Sequence, residues 1–260
     1  MSLLSAGPDD APALVLLHGW GAAKEMWRLV FRAPLTERYR LIALDLPGTG
    51  EADLVRPATP GRVADALWTT LGAMGVERCA VLGHSMGGNV AVRLALSAPE
   101  RVSSLVLVSA ALHSHRLKAA EWYLHPLVGP AALGGARALA GAAGWLDERL
   151  PPLDEPGWGR GYLRRSGYLS RRNSLRGLQA QLRGLLDQPA DLADLPPSLP
   201  VLLIHGGRDT TIPVGWARES AAARPARTEL LIYDDALHCP MDTHTQRFAD
   251  DVAAFLDAQK

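Results

Sequence analysis

Short apolar runs, broken at intervals by polar and glycine-bearing segments, set the rhythm of this chain. Six of them are rich in Val, Leu and Ile: Ala13–Leu17, Leu41–Asp45, Cys79–Gly83, Ser104–Ser109, Val201–His205 and Glu229–Tyr233. Their apolar residues run almost continuously rather than alternating, which is the pattern of strands covered on both faces in a parallel sheet. Between them the spacing turns helical. Val63, Ala66, Leu67 and Leu71 mark Arg62–Gly72, and Val90, Ala91, Leu94 and Ala95 mark Gly87–Ala98. Phe248, Val252, Phe255 and Leu256 mark a last helix. Strands alternating with helices predict a doubly wound, mostly parallel α/β sheet.

The alternation stops between about Leu112 and Pro197, where no convincing strand is found. This stretch holds a small-residue tract, Gly129–Gly144, and then an arginine-rich part. The chain therefore divides into a core, residues 1–111 and 198–260, and a helical cap, 112–197, inserted at the strand ends. A plain surface excursion is the alternative. The length of the insertion favours a cap, since long insertions in compact domains are usually functional.

A chain of 260 residues with 48% hydrophobic positions fits one globular domain with a sizeable core. The formal net charge is +0, so no global field draws in nucleic acid or a membrane surface. No run reaches the ~18 apolar residues of a membrane span, and the N-terminus lacks the basic and apolar regions of a signal peptide. Cys79 and Cys239 lie far apart and outside metal-ligand spacing, and they read as two reduced thiols. These features point to a cytoplasmic protein.

The chemistry gathers at four breaks. Gly83-His84-Ser85-Met86-Gly87 stands between a predicted strand and a predicted helix. In that setting G-x-S-x-G marks a sharp turn that presents the serine as a nucleophile, and side chains at the flanking glycines would clash. The following helix aims its positive end at an oxygen that gains charge in the reaction. Leu17-His18-Gly19-Trp20-Gly21 follows the first strand, where the Trp20 amide, with that of Met86, would form an oxyanion hole. His18, in a turn ahead of the nucleophile, reads as structural. Asp209 follows the fifth predicted strand and His238 the sixth.

The order Ser85, Asp209, His238 is that of a serine-hydrolase triad, each residue just past a strand's C-terminal end. Imidazole suits the base because its ordinary pKa near ~6.5 lets it take and return a proton at neutral pH. The carboxylate would fix its tautomer and stabilise the imidazolium. Asp234, Asp235 and Asp242 are rival acids, but they sit too near His238 in sequence to face it easily from a separate loop. His113 and His115 have no carboxylate or cysteine to complete a metal set, and His205, at a strand end, reads as packed.

These motifs resemble the α/β-hydrolase family over residues 13–110 and 200–256. His18-Gly19, Asp45-Leu46-Pro47-Gly48, the G-x-S-x-G turn, Gly206-x-x-Asp209 and His238 stand in family order. Within the family, Leu16–Gly21 with Met26-Trp27-Arg28 is similar to the pimeloyl-[acyl-carrier protein] methyl ester esterases. Those carry Trp before the nucleophile where this chain has His84, and the stretch before Ala13 is short for the hairpin many members place there. The resemblance implies a serine esterase needing neither metal nor organic cofactor, acting on a small-molecule ester or on an ester held by an acidic acyl carrier protein. Thioester, lactone or carbon–carbon hydrolysis are the alternatives in the same fold. A small-molecule receptor that keeps a hydrolase triad is the alternative of another class.

Seven arginines and no acid lie between Gly157 and Leu185: Arg160, Arg164, Arg165, Arg171, Arg172, Arg176 and Arg183. The chain has 27 basic and 27 acidic residues, so the remainder is net negative. A solvated helix face is the plain reading. The sharper one is a docking surface, through Arg164, Arg165, Arg171 and Arg172, for an anionic substrate or carrier, since the guanidinium fork grips phosphate with two hydrogen bonds.

Overall fold

The computed structural model describes residues 2–32, 35–147 and 173–260. Its frame is a seven-stranded sheet in the order β1-β3-β2-β4-β5-β6-β7. The strands are β1 (Leu3–Ala6), β2 (Ala13–Leu17), β3 (Arg40–Leu44), β4 (Cys79–His84), β5 (Val102–Val108), β6 (Val201–Gly206) and β7 (Thr228–Tyr233). All neighbours are parallel except β1, which runs antiparallel to β3 with Leu3 opposite Leu44. The six strands expected from the apolar runs are present, with ends displaced by one or two residues. β1 was not expected. It is short and only partly buried, so it lacks the continuous apolar signal of the others.

The helices are α1 (Leu35–Arg38), α2 (Pro60–Ala73), α3 (Met86–Ser97), α4 (Gly129–Asp147), α5 (Leu175–Asp187), α6 (Val214–Ala223), α7 (Pro240–Thr243) and α8 (Thr245–Asp257). Thr59 caps α2, its hydroxyl accepting from the Arg62 N–H with Pro60 in the first turn, a favoured start. The sheet has core on both faces. Val15 and Leu17 of β2 join α2 and α3 on one face, while Leu14 and Leu16 meet Trp27, Phe248 and Val252 on the other. That two-sided burial is why the strand sequences are continuous rather than alternating.

Between β5 and β6 the described residues form helices and turns and no strand. α5 is the best anchored piece. Ser174 caps it by accepting from the Gly177 N–H, and Leu178, Leu182 and Leu185 turn inward while Arg176 and Arg183 are exposed. Gly177 and Gly184 let it lie directly on the Gly48 and Ala58 carbonyls, where a Cβ would collide. Among the described residues no helix is long and apolar enough to cross a membrane.

Candidate active site

β4 delivers its last residue, His84, directly into a turn of one residue, Ser85, before α3 begins. Ser85 has φ 53° and ψ −116°, a backbone conformation that side chains other than glycine rarely adopt. Hydrogen bonds hold it there: its N–H donates to Val108 O (2.9 Å), and its carbonyl accepts from Gly88 N–H and Ala111 N–H (3.0 Å each). A Cβ at Gly83 would run into the Gly87 carbonyl, and one at Gly87 into the Leu17 carbonyl, so both glycines of the motif are sterically required. Met86 lies in the first turn of α3, among the amides that a helix leaves without an internal acceptor.

Past β2, the loop His18–Gly21 closes on this turn. A Cβ at Gly19 would stand 2.8 Å from His84 Nδ1 and 3.1 Å from Ser85 Cβ. His18 is completely buried, and its role is set by donors around it. Leu46 N–H donates to Nε2 (3.0 Å), so Nε2 must accept and the ring proton sits on Nδ1, which donates to Gly19 O (2.8 Å). Burial holds the His18 pKa below the usual value, so the ring is neutral. The Gly19 carbonyl and the Trp20 N–H belong to one planar peptide unit and point in opposite directions. Holding one aims the other.

Asp209 and His238 come together from the ends of β6 and β7. His238 Nδ1 lies 2.8 Å from Asp209 Oδ2, and the other oxygen, Oδ1, accepts from Thr211 N–H (2.8 Å) and Ile212 N–H (2.9 Å). A further partner is His205, whose Nε2 lies 3.3 Å from Asp209 Oδ2 and 2.9 Å from Ile212 O. Burial alone would raise the Asp209 pKa. Hydrogen bonds from His205 and His238 outweigh it and hold the carboxyl well below the usual carboxylate range. Of the rival acids, Asp235 instead pairs with His244 (3.0 Å) on the surface.

His84 links the two halves. Its Nε2 lies 2.9 Å from His238 O, and the two rings pack at 4.7 Å between centroids. Burial, with the nearby His238, pushes the His84 imidazole down to about 3, so it is neutral and donates from Nε2. The Ser85 backbone therefore lies immediately beside the residue that packs on His238.

The sequence reading took His205 as packed at a strand end, which its burial matches, but not as a partner of Asp209; its spacing of four from Asp209 was the available sign. Asn173, at the far end of the insertion, gave none. It reaches the loop after β2, where its Nδ2 donates to Gly21 O (2.8 Å) and Ala22 O (3.1 Å). Arg160, Arg164, Arg165, Arg171 and Arg172 lie outside the described residues. Among the described residues no cluster of His, Cys, Asp and Glu is fit to hold a metal, and His113 Nε2 lies 3.1 Å from Ser220 Oγ. Cys79 and Cys239 are not joined in a disulfide.

The model of the alpha/beta hydrolase family matches residues 14–251. The chain is 34% identical to the pimeloyl-[acyl-carrier protein] methyl ester esterase of Aeromonas hydrophila, over 95% of this chain and 96% of that one. It is 32% identical to RutD of Klebsiella pneumoniae, provisionally named a carbamate hydrolase, over 86% of this chain and 84% of that one. Among solved structures, a hydrolase from Pseudomonas aeruginosa PA01 superposes with a TM-score of 0.79 at 26% identity, covering 98% and 93% of the two chains.

Proposed function

We propose that this chain, which belongs to the alpha/beta hydrolase family, hydrolyses carboxylic esters through an acyl-enzyme formed on Ser85. The observation that carries this reading is the 2.8 Å contact between His238 Nδ1 and a buried, ionised Asp209, with the His238 ring packed on His84, the residue before a serine held at φ 53°. Asp209 fixes the His238 proton on Nδ1, leaving Nε2 to accept the proton of Ser85. The Ser85 Oγ bonds to the ester carbon, and the Trp20 and Met86 amides stabilise the oxyanion. The carbon–oxygen bond to the leaving group then breaks, and His238 returns the proton to the departing alcohol. Water, activated by His238, repeats the sequence and frees the acid.

Residues 112–197 act in this reading as a cap over the site. The preferred substrate class is an ester presented on an acidic acyl carrier, supported by the similarity to the Aeromonas hydrophila esterase and by the arginine-rich stretch of the cap. Arg164, Arg165, Arg171 and Arg172 are the proposed contacts.

A fluorophosphonate probe should label the wild type and not Ser85→Ala, whose ester hydrolysis should fall on the order of 10⁴-fold or more. Labelling retained in Ser85→Ala removes the assignment. A panel of p-nitrophenyl esters, a thioester, a lactone and a carrier-linked methyl ester identifies the preferred bond. Changing the four arginines to glutamine should lower kcat/KM only on the carrier-linked ester and abolish its salt dependence.

A further inference from the structure

We propose that Asn173 is a positioning residue for the oxyanion amide of Trp20, so that the returning end of the cap sets the catalytic rate; the proposal rests on the reading of that amide as an oxyanion donor. Asn173 is buried to 1% exposure and sits immediately before Ser174, the capping residue of α5. Its carboxamide bonds two loops at once. Nδ2 donates to Gly21 O and Ala22 O after β2, and Oδ1 accepts from Gly50 N–H (3.2 Å) after β3.

The consequence lies in the order of the peptide units. Gly21 C=O and Ala22 N–H share one planar unit, and Gly19 C=O and Trp20 N–H share another. Asn173 Nδ2 donates to the Gly21 carbonyl at 2.8 Å, and at the other end of that unit Ala22 N–H donates to the Gly19 carbonyl at 3.2 Å. The unit that accepts this second bond ends in the Trp20 N–H. The result is a chain of hydrogen bonds with one polarity, running from the Asn173 amide through two peptides to the donor. Each bond in such a chain polarises and strengthens the next.

The loop has reason to need an external hold. Gly21 stands at φ +75°, and a Cβ there would meet nothing within 4 Å, so packing around that position does not confine the turn. His18 secures the Gly19 carbonyl from the sheet side. Asn173 secures the other end of the turn from the cap side. α5 adds a third hold, since Trp20 Nε1 donates to Leu178 O at 2.8 Å. The oxyanion amide and the cap are thus one mechanical unit.

The test compares Asn173→Ala and Asn173→Asp with the wild type on p-nitrophenyl acetate, with rates expressed per folded molecule from circular dichroism. Asn173→Asp keeps the size and the acceptor for Gly50 N–H but turns an oxygen toward the two carbonyls. Loss of an oxyanion donor costs on the order of 10²–10³ in kcat, and misalignment should cost at least about 10-fold, with KM nearly unchanged. Affinity for a trifluoromethyl ketone, which forms a tetrahedral alkoxide on the serine, should fall by about the same factor. Affinity for the matching methyl ketone should not. A purely structural role would not separate the two ketones. If kcat per folded molecule stays within about twofold, or the loss of activity merely tracks the loss of folded protein, the positioning role is overturned. Ser85→Ala, assayed alongside, separates the failures: activity retained there overturns the active-site reading itself.

Discussion

Two carboxylates are buried in this molecule at similar depth, and they are held in different ways. Asp45, after β3, accepts from Lys24 N–H (2.9 Å), Glu51 N–H (3.1 Å) and the Lys24 ammonium (2.7 Å), with its side chain fully enclosed. Asp209, after β6, also accepts two backbone N–H bonds and is as fully enclosed, but its remaining partners are the imidazoles of His238 and His205. Both carboxyls are held below the ordinary carboxylate range against the opposing effect of burial. The difference is the partner's chemistry. A lysine beside a carboxylate keeps its charge at neutral pH, so the Asp45 pair is static. A histidine can take and return a proton there, so the Asp209 pair can follow a reaction. Access differs too: Lys24 is almost sealed, at 5% side-chain exposure, whereas His238 is at 20%.

The sharpest way to break this contrast is to neutralise each carboxylate in turn. Asp209→Asn should lower kcat on the order of 10⁴-fold by offering the wrong His238 tautomer, while the fold survives. Asp235→Asn, on the surface pair with His244, should change it little. The reverse ranking in steady-state kinetics would mean the acid is misassigned. Asp45→Asn should do the opposite, costing about 3 kcal/mol of stability, read as a shifted urea midpoint. It strips the Lys24 ammonium of its nearest anion, leaving Glu25 at 3.4 Å and the more exposed Glu51 at 3.7 Å. Its kcat per folded molecule should stay near that of the wild type.

The most gradual effect comes from acid. Both carboxyls have depressed folded pKa values, so the stability they contribute is present above about pH 4 and is lost only as pH falls further. The Asp209 side carries an additional sensitivity in His84, which faces His238, Asp209 and His18. Its folded pKa, about 3, lies below the unfolded value of 6.5. Stability from the neutral ring is therefore complete above the unfolded value and is lost as pH falls from there toward 3, with a slope approaching about 1.4 kcal/mol per pH unit. His84→Gln should flatten the urea-midpoint profile across that window. An unchanged profile would assign the acid sensitivity elsewhere.

Much of this arrangement was legible in the sequence because it is written in local signals. The buried strands declare themselves by unbroken apolar runs, and Gly83 and Gly87 are glycine for steric reasons that act within a few residues. Asp209 and His238 each lie within a few residues of the end of such a run. What was missed depends on distant pairing. β1 is defined by its antiparallel register on β3, not by its own composition. His205 could be read from the sequence as a packed strand-end residue, but its contact with Asp209 depends on the turn past Asp209 that brings Ile212 O back toward it. Asn173 contacts residues about 150 positions away, across an insertion whose path the sequence does not dictate.

The insertion also bears on how this molecule could be rebuilt. β5 and β6 are neighbours in register, with Leu105 opposite Val201, so the sheet closes whatever length of chain lies between them. A designer would take that as licence to exchange the whole segment for one with another specificity. Asn173 and the Leu178 carbonyl set a narrower boundary, because a graft that discards them discards the outer supports of the Trp20 loop. A chimera that keeps the native chain from Asn173 through Asp187, and changes only what precedes it, would inherit both the frame and its tuning.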